Sequence, residues 1–133
     1  MEKQFRLLLV DDQSRARQSL SAVLAIDFPQ IKIFEASNGK DALLQAKTIY
    51  PDIVIMDVRM PECDGLEATR LIKAMDPGIK IILHSMYPEY QTAALSAGAD
   101  NFITKGGPPE ILIETIATLL KPNSDSNSIC DGA

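Results

Sequence analysis

Five short apolar runs alternate with stretches of helical period along this chain. The runs are Phe5–Val10, Ile31–Ala36, Ile53–Met56, Ile79–Leu83 and Asn101–Thr104. Apolar runs without polar alternation suit parallel strands that are covered on both faces. Between them, Ala16, Leu20, Val23 and Leu24 share one helical face, as do Ala42, Leu43, Ala46 and Ile49 in a second segment. Leu66, Thr69, Ile72 and Met75 do the same in a third. The fourth segment, Glu89–Ala97, is alanine-rich with a weaker stripe. The fifth aligns Ile113, Ile116 and Leu120, with Pro108 and Pro109 suited to its first turn. Gly39, Gly78 and Gly98 fall at the predicted boundaries, and Pro29, Pro51, Pro77 and Pro122 punctuate them.

This alternation predicts an α/β fold of five βα units, a doubly wound parallel sheet with helices on both faces. Right-handed crossovers leave few topologies. The flavodoxin-like strand order 2-1-3-4-5 sets strands 1 and 3 side by side at the switch point, where open α/β sheets bind ligands. One domain over residues 1–121 is expected. The stretch Pro122–Ala133 is rich in Ser, Asn and Asp, and Ile129 is its only large aliphatic residue. It is expected to be a disordered tail or the start of a linker, because it buries too little to offset its ordering entropy.

Composition narrows the class. Of 133 residues, 46% are apolar and 23% charged, ordinary proportions for a globular protein. No apolar run is long enough for a membrane span, and Met1-Glu2-Lys3-Gln4 opens no secretory signal. A cytoplasmic location is therefore expected, with Cys63 and Cys130 as free thiols. The net charge of −5 argues against direct nucleic-acid binding by this domain.

In a parallel sheet the carboxyl ends of the strands share one edge. Asp11 and Asp12 follow strand 1, Asp57 follows strand 3, Ser85 follows strand 4 and Lys105 follows strand 5. Each has a plain structural alternative. Asp11-Asp12 ahead of Ser14 also fits a turn and helix cap, and Ser or Lys is common at a strand end. The joint occurrence at four strand ends is what chance explains badly. Three crowded carboxylates need an offsetting charge, and a hard cation such as Mg²⁺ fits oxygen donors. The reaction that uses this set is phosphoryl transfer to a carboxylate. Asp57 would be the nucleophile, already ionised and needing no base. The metal would be held by Asp12 and Asp57, with Asp11 acting through water. Lys105 would pair with a phosphoryl oxygen, and Ser85 would donate to the added phosphate. His84, the single histidine, is expected to be a packed or rim residue, and Met56, Met60, Met75 and Met86 core fillers and loop residues.

The motifs LLLVDD at Leu7–Asp12, DIVIMDVRMPECDG at Asp52–Gly65, Ser85, AGAD at Ala97–Asp100 and FITK at Phe102–Lys105 together resemble the receiver domains of bacterial two-component response regulators, over about residues 5–121. The resemblance implies phosphotransfer from a histidine kinase or phosphotransfer protein to Asp57, with Mg²⁺ ligated by Asp12, Asp57 and the backbone carbonyl of Arg59. It also implies a switch in which Phe102 turns inward as Ser85 moves. The helix 4, strand 5 and helix 5 surface would then change for partners or a homodimer. The segment Ser85-Met86-Tyr87 and Gly106 resemble receivers attached to a helix-turn-helix output domain, which would make the whole protein a transcription regulator. Two features depart from the common pattern. Gly106-Gly107 stands where receivers often have a proline, so a trans peptide and a looser loop are expected. Arg59 is a bulky cation at the mouth, either guarding the phosphoryl group or simply solvated.

Three other classes compete. A phosphohydrolase of the haloacid-dehalogenase type needs a second acid two residues past a nucleophile on strand 1. Here Arg59 holds that offset, and the nucleophile is on strand 3. A flavodoxin-like nucleotide or flavin binder wants a Ser/Thr/Gly-rich loop after strand 1, where this chain has Asp-Asp-Gln-Ser-Arg. A phosphorylation-independent interaction module would not require the intact acid set. The domain is thus expected to be a phospho-acceptor that assists its own chemistry rather than an enzyme.

Overall fold

A computed structural model describes residues 4–120. The expected tail Pro122–Ala133, with Cys130 in it, lies outside the described residues. Five strands form: β1 (Arg6–Val10), β2 (Lys32–Ala36), β3 (Ile53–Asp57), β4 (Lys80–Ser85) and β5 (Asn101–Thr104). The helices are α1 (Ser14–Asp27), α2 (Gly39–Ile49), α3 (Gly65–Met75), α4 (Gln91–Ala97) and α5 (Pro109–Leu119). All strand pairs are parallel, in the order β2-β1-β3-β4-β5. The predicted order is the observed one.

Alternation along each strand sends successive side chains to opposite faces. Leu8, Val10, Val54, Met56, Ile81 and Leu83 pack on one face with Ala42, Ala46, Ala68, Ile72 and Ala94, drawn from α2, α3 and α4. Leu7, Leu9, Ile53, Ile55 and Ile82 pack on the other with Leu24, Leu112 and Ile116, from α1 and α5. The apolar runs are continuous because both faces are covered. That holds fully for the three central strands. The outer strands β2 and β5 are only half covered, with Lys32, Glu35 and Thr104 exposed.

The ladder runs one residue past the predicted third strand and two past the predicted fourth. Asp57 pairs in register with His84, and Ser85 with Thr104, so both polar residues are the last members of their strands rather than loop residues. The fourth helix also differs. Pro88–Tyr90 forms a tight 3₁₀ turn closed by Tyr90 N–H on the Tyr87 carbonyl, and regular helix begins at Gln91. Proline suits the first position of such a turn because it has no N–H to satisfy. Asn38 and Asp64 cap α2 and α3, accepting from the N–H groups of Asp41 (2.8 Å) and Glu67 (3.0 Å). Pro108 and Pro109 open α5 as expected.

Candidate functional site

The strand order brings the ends of β1 and β3 together, with Val10 beside Met56. One residue further on lie Asp11 and Asp57. Carboxylate oxygens of Asp11, Asp12 and Asp57 all lie within 4.8 Å of one another. The donor set is oxygen only, and that fits a hard divalent cation of the Mg²⁺ kind. Asp11 is buried, Asp57 half-buried and Asp12 exposed, so a cation has one open side.

Lys105 reaches across from the end of β5. Its Nζ donates to Asp11 Oδ2 at 2.9 Å and to Asp57 Oδ2 at 3.2 Å. Its own N–H donates to the Ser85 carbonyl at 2.7 Å, tying the start of the β5–α5 loop to β4. Burial raises the Asp57 pKa, with a further push from the Asp11 charge, against the lowering effect of the Lys105 charge and hydrogen bond and of the Arg59 backbone N–H. Burial alone would lower the Lys105 pKa, but its hydrogen bond to Asp11 and the Asp57 and Asp11 charges outweigh it, and the net shift is upward. The ammonium is thus secured as a cation.

Glycine lets the β3–α3 loop close over this edge. Gly65 N–H donates to the Val58 carbonyl at 2.8 Å. A Cβ on Gly65 would overlap the Asp57 carbonyl oxygen, so only glycine allows α3 to begin this close to the end of β3. Asp11 also performs the turn role that its position next to Asp12 allowed. Its Oδ1 accepts from Gln13 N–H at 2.9 Å, while the helix-capping position itself, Gln13, makes no side-chain cap.

The other side of the edge is arranged differently. Ser85 is buried, and its Oγ accepts from Tyr87 N–H at 3.0 Å. Phe102, paired with Leu83 across the ladder, is half-buried against the α2–α4 face. The Arg59 guanidinium carbon sits 5.2 Å from the centre of the Tyr87 ring, a cation–π contact joining the β3–α3 and β4–α4 loops. Arg59 is therefore partnered rather than merely solvated. All described peptide bonds are trans, including Lys105–Gly106, and Gly106 takes φ +90°, open to glycine and strained for other residues. His84 is half-buried, and burial, then the Lys105 charge, push its pKa down to about 4. It is a neutral packing residue at pH 7. Cys63 is a free thiol whose pKa burial and neighbouring acids raise, which lowers its thiolate fraction.

Sequence reasoning missed Arg17 and Glu35. Arg17 donates to the Asp11 carbonyl at 2.6 Å and to Glu35 Oε1 at 2.7 Å. A basic residue one turn into the first helix gives no distinctive signal along the chain.

With this geometry in hand, comparison with known proteins is decisive. The family model described as response regulator receiver domain matches residues 7–117. The chain belongs to that family. The receiver is 37% identical over 114 residues to the response regulator GacA of Pseudomonas viridiflava, covering 84% of this chain and 53% of that protein. It is 30% identical over 116 residues to the transcriptional regulatory protein LnrK of Bacillus subtilis, covering 86% and 53%. The chain thus spans about half the length of these curated relatives. Among solved structures, the response regulator TrrA from Thermotoga maritima, in complex with Mg²⁺ and BeF, superposes with a TM-score of 0.81 at 33% identity, covering 87% of this chain and 99% of that one. The receiver is a signalling domain of two-component systems. No helix among the described residues is long and apolar enough to cross a membrane.

Proposed function

We propose that this receiver takes a phosphoryl group on Asp57 from a histidine kinase or phosphotransfer protein and passes the change to the α4–β5–α5 surface. The observation that carries it is the Asp57 carboxylate at the end of β3, grouped with Asp11 and Asp12 and met by Lys105 Nζ at 3.2 Å. An Asp57 oxygen attacks phosphorus, and the phosphorus–nitrogen bond of the donor phosphohistidine breaks with its electron pair going to the imidazole. Asp12, Asp57 and the Arg59 carbonyl would hold Mg²⁺, with Asp11 bound through water. When present, the ion supplies positive charge against the phosphoryl oxygens. Lys105 is already poised over Asp57 and stabilises charge developing on another of those oxygens. The same assisted chemistry governs loss of the phosphate to water, which is why we read the domain as a self-assisting phospho-acceptor.

After transfer, Ser85 Oγ–H donates to the new phosphate. Tyr87 N–H is hydrogen-bonded to that oxygen, so the β4–α4 loop follows Ser85, and Phe102 turns inward beneath it. A homodimer through α4, β5 and α5 is the corresponding output. Sedimentation of the beryllofluoride form as an unchanged monomer would argue against that part. LnrK is named a transcriptional regulatory protein, and the same output is our proposal for the full-length regulator containing this receiver, working in the cytoplasm.

The decisive test is intact-mass spectrometry after incubation with acetyl phosphate and Mg²⁺. One phosphate adduct is expected on the native chain, none after Asp57→Asn, and none with the metal chelated. An undiminished adduct in Asp57→Asn would assign the acceptor elsewhere.

A further inference from the structure

The acid pair at the end of β1 is gripped from behind. Asp11 N–H donates to the Ala36 carbonyl at 3.1 Å, and the Asp11 carbonyl accepts from Arg17 at 2.6 Å. The peptide group is planar, so fixing that carbonyl also fixes the direction in which the chain enters Asp12. Arg17 is itself fixed, because Glu35 takes its Nε at 2.7 Å and its side chain is only 16% exposed. Glu35 is anchored in turn by β2, and its carbonyl accepts from Gln45 Nε2 of α2 at 2.6 Å. The guanidinium fork thus spans two acceptors, one just past β1 and one on β2, something the point charge of a lysine reproduces poorly.

We infer that Arg17, braced by Glu35, is a positioning residue for the metal-binding acids, aiming Asp12 and holding Asp11 in the geometry that Mg²⁺ requires. This rests on the proposed metal site. Residues one layer behind the ligands of a metal commonly tune its affinity by about 10–100-fold. The sign of the effect separates positioning from simple charge. Arg17 is a cation near a cation site, so deleting it for charge alone should tighten Mg²⁺ binding. Losing a positioning strut should weaken it.

Isothermal titration of Mg²⁺ into the native chain, Arg17→Met, Arg17→Lys and Glu35→Gln reads this directly, without any phosphodonor. Arg17→Met is expected to bind about 10-fold more weakly, with Arg17→Lys between it and the native chain. Tighter or unchanged binding in Arg17→Met would overturn the inference. Should that variant fail to fold, Arg17→Lys decides: weaker binding at a retained charge supports positioning, and unchanged binding rejects it. Absence of Mg²⁺ binding by the native chain would instead refute the metal site itself.

Discussion

On the β1–β3 side of the sheet edge, Asp11 and Lys105 are each held by more than one partner. Asp11 is engaged through both carboxylate oxygens, its N–H and its carbonyl, and Lys105 spans two acids. On the β4–β5 side, Ser85 Oγ has one neighbour-strength tie, to Tyr87 N–H. Beside it, the Arg59–Tyr87 contact is exposed and worth about 0.5–1 kcal/mol, and Phe102 is half-covered. The difference teaches a division of labour. Electrostatic catalysis needs dipoles and charges that do not reorganise as the reaction proceeds, whereas a switch needs a segment with little free energy holding it in place. Under the proposed function, one edge of one sheet would serve both.

The largest effect should come from breaking the rigid half. Lys105→Met is expected to slow adduct formation from acetyl phosphate by about 100-fold, the scale of losing one aligned charge-stabilising donor. Ser85→Ala should alter that rate far less, yet lose the slowing of hydrogen exchange that beryllofluoride is expected to produce in the Met86–Tyr90 segment of the native chain. Time-resolved intact-mass measurements and hydrogen exchange on both variants test the division. If Ser85→Ala slows the chemistry as much as Lys105→Met does, the two halves are not separable.

How much of this was legible beforehand depends on which force positions each residue. The strand order and the acid set followed from continuous apolar runs and their polar ends, because burial on both faces leaves a parallel strand little choice of composition. The strand ends at Asp57 and Ser85 were located to within one and two residues, and the error has a physical cause. Backbone pairing continues past the last apolar side chain wherever the neighbouring strand is still present to bond. Helix α4 was placed two residues early because Pro88 imposes a tighter turn before the helix can start. The Arg17–Glu35 brace and the Arg59–Tyr87 contact stayed invisible. Both join residues far apart in sequence through long side chains, for which no periodicity exists.

His84 lies between the two halves, paired in register with Asp57 on β3 and Ile103 on β5, and near Lys105 and Asp11. Its pKa falls from 6.5 to about 4 in the folded chain. Between those values the unfolded chain binds the extra proton and the folded one does not, so stability falls as pH drops through this window. The penalty is absent above pH 6.5 and complete below about 4. Carboxylates titrate near the lower end too, so the informative quantity is the difference from His84→Gln. Denaturant unfolding at pH 7 and pH 4 should show the native chain losing about 2 kcal/mol more than the variant, after allowance for partial solvent access. Equal losses would mean that the imidazole is not buried between the halves and titrates freely.

The smallest expected effect concerns what holds Lys105. Gly106 has φ +90° with open space where a side chain would begin, since a Cβ there meets nothing within 4 Å. Gly106→Ala should therefore cost only backbone strain, about 1 kcal/mol, and lower the thermal midpoint by about 2–6 °C. The rate of adduct formation should hardly change. Lys105 is fixed from its own N–H on the Ser85 carbonyl and from its Nζ on Asp11 and Asp57, all upstream of the strained residue. A Gly106→Ala rate as slow as that of Lys105→Met would show instead that the glycine loop aims the ammonium. The catalytic half of the edge would then extend into β5–α5, and its contrast with the loosely tied half would fail there.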